Sequence, residues 1–90
     1  MKASHEKTLT AIFADQPGAN LTWKDIESLF LALGAEITEG RGSRIRVYLN
    51  GVRAVFHRPH QKEADRGAVR SVRRFLQEAG VSPATKGANE

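Results

Sequence analysis

Nine arginines and two of the three histidines fall between residues 41 and 74. Inside that block, Gly42 to His60 alternates charged and apolar residues around Asn50-Gly51. The planar guanidinium fork of arginine matches phosphate in a bidentate way that lysine cannot reproduce. Histidine titrates close to neutrality and suits proton transfer. A tyrosine among arginines, here Tyr48, suits stacking on a nucleobase. Phosphate recognition with an available proton carrier points to a nucleic acid as the ligand. A solvated arginine-rich surface is the alternative.

Those side chains matter only if one element gathers them. Asn-Gly is the dipeptide that best tolerates the two positive φ angles of a two-residue hairpin turn. With Asn50 and Gly51 at the turn, Leu49 faces Val52, Val47 faces Ala54 and Ile45 faces Phe56. These six share one face, because side chains alternate along a strand. The other face carries Tyr48 opposite Arg53, Arg46 opposite Val55 and Arg44 opposite His57. One side of the hairpin is a core wall and the other a cationic surface. Gly40-Arg41-Gly42 reads as a flexible cationic turn into Ser43, where backbone N–H groups can approach an anion. Pro59 ends strand pairing.

The remaining elements must cover the core wall. Leu9, Ile12 and Phe13 fall at helical spacing, predicting a short helix from about Glu6 to Ala14, with Lys2 to Glu6 frayed and His5 inert. Asp15-Gln16-Pro17-Gly18 ends it. Thr22 is an N-cap, Asp25 sits at the positive end of the helix dipole, and Trp23, Ile26, Leu29, Phe30 and Leu33 form a broad apolar stripe closed by Gly34. Trp23 at this spacing reads as core. Ala35 to Glu39 alternates as a strand with Ala35 and Ile37 inward. Asp65 caps a last helix whose stripe is Val69, Val72, Phe75, Leu76 and Ala79, with Arg66, Arg70, Arg73 and Arg74 mostly off it. The expected fold class is α+β: two helices, a three-stranded antiparallel meander and a C-terminal helix, with the helices on one sheet face. That layer order is the architecture of double-stranded RNA-binding domains, although fold alone does not settle function.

Ninety residues suit one small domain, expected over 1–81, with 82–90 as a disordered tail. There is no cysteine, hence no disulfide framework and no thiolate metal site. The N-terminus is too polar for a signal peptide, and no apolar run is long enough for a bilayer, so the default expectation is a cytoplasmic protein without membrane contact. The net charge of +4 is uneven. Residues 1–40 carry three lysines against six acids, whereas residues 41–74 carry nine arginines and one lysine against two acids.

From Trp23 to Val81 the chain resembles HicA, the toxin of HicA–HicB toxin–antitoxin pairs. The likeness rests on the leading helix ending in Gly34, the Gly42-Ser43 pair before a hairpin, the strand exit around Pro59-His60, and the closing segment Gly67-Ala68-Val69-Arg70-Ser71-Val72 ending in Ala79-Gly80. Glu6 to Phe13 lies outside the usual small core of that family. The resemblance implies a ribonuclease that cuts mRNA without a metal or other cofactor, a fold similar to a double-stranded RNA-binding domain, and neutralisation by a HicB-like antitoxin that covers the active site.

One position departs from the family. The residue after Gly-Ser is typically its catalytic histidine, and here it is Arg44. Arginine cannot act as a base near neutral pH, but it can hold a scissile phosphate. The hairpin register sets His57 across from Arg44, with Cβ atoms roughly 5 Å apart. The expectation is therefore a catalytic pair of His57, as acid/base for attack of the RNA 2′-hydroxyl on phosphorus, and Arg44, as phosphate holder. Arg41, Gly42, Ser43, Arg46, Tyr48, Arg53, Arg58 and His60 are expected to bind RNA and phosphate, with His60 equally able to cap the strand exit. Three dispersed histidines do not make a metal site. Two further readings remain: a non-catalytic RNA-binding domain of the same fold, and a basic face that docks an acidic protein.

Overall fold

Asn50 has φ 52° and Gly51 φ 84°, the left-handed pair that closes a two-residue hairpin. The strands it joins are β2 (Arg44–Leu49) and β3 (Val52–His57). Their partners are Leu49 with Val52, Val47 with Ala54, Ile45 with Phe56, Tyr48 with Arg53, Arg46 with Val55 and Arg44 with His57. This is the register expected from the Asn-Gly dipeptide. The turn is also tied down from outside, since the Asn50 side-chain amide donates to the Ala79 carbonyl at 2.9 Å.

The computed structural model describes residues 3–14 and 21–83. Its elements are α1 (Ala3–Phe13), α2 (Trp23–Ala32), β1 (Glu36–Glu39), β2, β3 and α3 (Arg66–Glu78). The sheet is antiparallel in the order β1-β2-β3, so the fold is α+β as expected. Thr22 caps α2 by accepting from the Asp25 N–H, and Asp65 caps α3 by accepting from the Ala68 N–H at 2.8 Å.

Burial along β2 alternates strictly, with Ile45, Val47 and Leu49 buried and Arg44, Arg46 and Tyr48 exposed. Phe56, inward on β3, meets rings from two helices. Its centroid lies 5.9 Å from Trp23 and 5.8 Å from Phe30 of α2, and 5.8 Å from Phe75 of α3. Ile26, Leu29, Val72 and Leu76 fill the same core, and Leu9 and Ile12 bring α1 into it.

Two expectations need correction. Helix α1 begins at Ala3, so Ala3 to Glu6 is helical rather than frayed. His5 is accordingly docked, with its Nε2 3.0 Å from the Ser28 hydroxyl of α2. The end of α1 is held by Arg73, whose guanidinium donates to the carbonyls of Ile12 and Ala14 at 2.9 and 2.7 Å. The break expected at Pro17-Gly18 and the tail from residue 84 onward lie outside the described residues.

Candidate functional site

Alternation along the hairpin leaves Arg44, Arg46, Tyr48, Arg53, Val55 and His57 exposed on the sheet face away from the core. The Arg53 guanidinium lies over the Tyr48 ring, 5.6 Å from its centroid. That cation–π contact presents a flat aromatic surface next to a positive charge. Strand β1 extends the face, because Glu36 pairs with Tyr48 and Thr38 with Arg46. A shallow trough lined by Glu36, Thr38, Arg46, Tyr48, Arg53 and Val55 runs across it. The sequence reading of the hairpin overlooked Glu36 and Thr38, although Ala35 and Ile37 facing inward already placed them outward.

The Arg44–His57 end of this face has a defined geometry. The Arg58 N–H donates to the Ser43 carbonyl at 2.9 Å. Ser43 and Arg58 therefore form the hydrogen-bonded pair, and Arg44 and His57 form the neighbouring pair without direct backbone bonds. In antiparallel sheets that type brings opposite side chains closer. Both side chains are exposed, and His57 makes no side-chain hydrogen bond among the described residues. Next to them, Arg41-Gly42-Ser43 makes an exposed turn with Gly42 at φ 63° and the Arg44 N–H donating to the Arg41 carbonyl at 3.2 Å. A Cβ at Gly42 would be strained in that left-handed conformation. His60 is exposed on the loop after β3. That loop is pinned to the start of α2 by bonds from the Trp23 N–H to the Lys62 carbonyl and from the Ala64 N–H to the Leu21 carbonyl.

Arg58 does not join the exposed arginine-rich face. One residue past His57, it points to the other side of the sheet. There its guanidinium is bidentate to Glu27 of α2, at 2.7 and 3.1 Å, and reaches Glu39 of β1 at 3.1 Å. The hydrogen bonds to Glu27 and then Glu39 raise the Arg58 pKa further above its ordinary value. The bond from Arg58 holds the Glu39 carboxyl below the usual carboxylate range. Arg58→Ala should lower the unfolding free energy by about 1 kcal/mol, measured by urea denaturation, since both partners are partly solvated. Because the Glu39 pKa is depressed in the folded state, its share is present at neutral pH. It declines as pH falls below the ordinary glutamate range and vanishes once the folded-state carboxyl protonates.

Among the described residues, no three His, Cys, Asp or Glu side chains converge as metal ligands, and no helix is long and apolar enough to cross a membrane. The family model described as the HicA toxin of bacterial toxin–antitoxin systems matches residues 23–81, roughly two-thirds of the chain. The chain belongs to the HicA toxin family. No curated protein and no solved structure matches it. The HicA match takes in α2, the whole sheet and α3 and leaves α1 outside. In this HicA chain the residue after Gly42-Ser43 is Arg44, and the histidine on the same face is its cross-strand partner His57. As a toxin of a toxin–antitoxin system, it implies a cognate antitoxin.

Proposed function

We propose that this HicA toxin is an endoribonuclease acting on mRNA without a metal, that its exposed sheet face binds the RNA, and that a HicB-like antitoxin neutralises it. The observation that carries this reading is the exposed cross-strand pair Arg44–His57 at the edge of an arginine-rich face. Arg44 holds the non-bridging oxygens of the scissile phosphate and stabilises charge there, whereas Ser43, paired with Arg58, falls by alternation on the opposite side of the sheet and takes no part. His57 takes the proton of the adjacent 2′-hydroxyl as its oxygen attacks phosphorus. The P–O5′ bond breaks, and the leaving 5′-oxygen takes a proton from solvent. The products are a 2′,3′-cyclic phosphate and a 5′-hydroxyl end. Arg41, Gly42, Arg46, Arg53 and His60 hold flanking phosphates, and Tyr48 stacks on a base. Arg58, already held by two carboxylates, takes no part.

A second reading is favoured by one observation, the arginine at the position where the family typically has its catalytic histidine. It makes the chain an RNA-binding domain without catalysis. Purified protein incubated with mRNA in excess EDTA separates the two. The ribonuclease reading predicts discrete cleavage products. Tight binding that weakens steeply with salt, with the RNA intact, supports the binding domain.

A further inference from the structure

A groove runs between β3 and α3 on the side of the sheet edge, lined by Ala54 and Phe56 of β3 and by Arg70, Ser71, Arg74 and Phe75 of α3. The proposed active centre does not use it. Strand β3 is an edge strand. The Arg58–Ser43 bond sets the parity of its ladder, so Val52, Ala54 and Phe56 bond to β2, and the N–H and C=O groups of Arg53, Val55 and His57 point outward. Among the described residues these outward groups meet no backbone partner. An exposed row of this kind is a template for another strand.

The helix wall of the groove is suited to that strand. Phe56 and Phe75 are buried and form an apolar floor, and Ser71 leaves room above it. Arg70 and Arg74 are exposed, one helical turn apart, and like charges at that spacing repel each other. Among the described residues neither has a carboxylate within 4.0 Å, and the one acid on this wall, Glu78, stands one helical turn beyond Arg74, leaving Arg70 the farther from it. Unpaired edge amides beside two arginines that form no ion pair among the described residues, with a single acid on the same wall, call for an extended segment bearing carboxylates.

We propose that the edge of β3 receives an extended, acidic segment of the antitoxin as a fourth strand seated in this groove. The proposal rests on the toxin reading above and adds how the partner acts. Side chains of an added strand alternate. One set meets Arg70 and Arg74. The other emerges on the RNA face beside Arg53 and His57, where carboxylates displace phosphate and cover the proposed base. A single strand thereby docks and inhibits.

The probe is a fluorescently labelled eight-residue peptide, Glu-Glu-Val-Val repeated twice so that each face of the strand carries carboxylates, offered up to millimolar concentration, with decauridine as the RNA comparison. Binding is read by anisotropy, and amide exchange by NMR locates it. The peptide should bind saturably and protect the amides of Arg53, Val55 and His57. Val55→Pro removes an outward N–H without touching the β2 ladder, and Ser71→Tyr fills the groove. Each should weaken the peptide at least tenfold, and Ser71→Tyr should leave RNA cleavage in the absence of peptide unchanged. No saturable peptide binding, protection elsewhere, or unchanged affinity in both variants overturns the proposal. So does protection of those three amides by decauridine but not by the peptide, which would make the groove an RNA track. Cleavage without peptide protection defeats only the groove; peptide protection without cleavage supports the groove and defeats only the ribonuclease reading.

Discussion

His57→Ala should reduce RNA cleavage by about 10²–10⁴-fold while leaving RNA affinity close to wild type. At 1.36 kcal/mol per decade this corresponds to about 2.7–5.4 kcal/mol of transition-state stabilisation. The size is that of losing a positioned general base. Arg44, its partner across the strands, carries a guanidinium that donates hydrogen bonds and has no acceptor for the 2′-hydroxyl proton. The affinity should hold because Arg44, Arg46 and Arg53 remain to meet the backbone phosphates. The side chain is exposed, so its truncation creates no cavity, and a circular dichroism spectrum and melting temperature unchanged from wild type would show that the loss is chemical. His60→Ala should change the rate little. If instead His60→Ala abolishes cleavage and His57→Ala does not, the base belongs to the loop after β3.

Phe56→Ala should destabilise the domain by about 3–5 kcal/mol. Phe56 is 6% exposed and touches three other rings, and Phe30 and Phe75 also contact each other at 5.7 Å. Removing its ring unpacks the joint between the sheet and two helices at once, leaving a hole that backbone shifts cannot close. Since small domains are stable by only about 5–15 kcal/mol, this one substitution removes a large share. Urea denaturation measures it, and Phe56→Leu, which keeps most of the volume, should cost about 1–1.5 kcal/mol. A loss below 1 kcal/mol for the alanine variant would mean that the ring cluster does not hold the sheet to the helices. The cleavage defect of Phe56→Ala should track the folded fraction, in contrast to His57→Ala.

The hairpin was legible because its information is local. Asn50-Gly51 sets the turn, and parity then assigns every side chain from Arg44 to His57 to a face. The caps at Thr22 and Asp65 were legible for the same reason, each lying within a few residues of the N–H it accepts from. Arg58 was misplaced among the phosphate ligands because it was counted with the basic block. Carrying the alternation one residue past His57 turns it to the carboxylate side, but Glu27, 31 positions away, could not be foreseen as its partner. His5 was misread similarly. Its contact, Ser28, lies 23 positions on, and nothing in a polar N-terminal stretch announces a docked helix. Arg73 reads as one more surface arginine until α1 and α3 are packed and its guanidinium is found on the carbonyls of Ile12 and Ala14. The groove beside β3 is tertiary in the same sense, with one wall from a strand and the other from a helix.

The hairpin that pairs Arg44 with His57 should perform phosphoryl transfer on RNA through the 2′-hydroxyl. Mass spectrometry of the products formed in EDTA from a short RNA, alongside the same strand made 2′-deoxy at the cleaved nucleotide, tests it most directly. The RNA should yield 2′,3′-cyclic phosphate and 5′-hydroxyl termini, and the deoxy-substituted strand should stay intact. Products ending in 3′-hydroxyl and 5′-phosphate, or cleavage of the deoxy-substituted position, would contradict it.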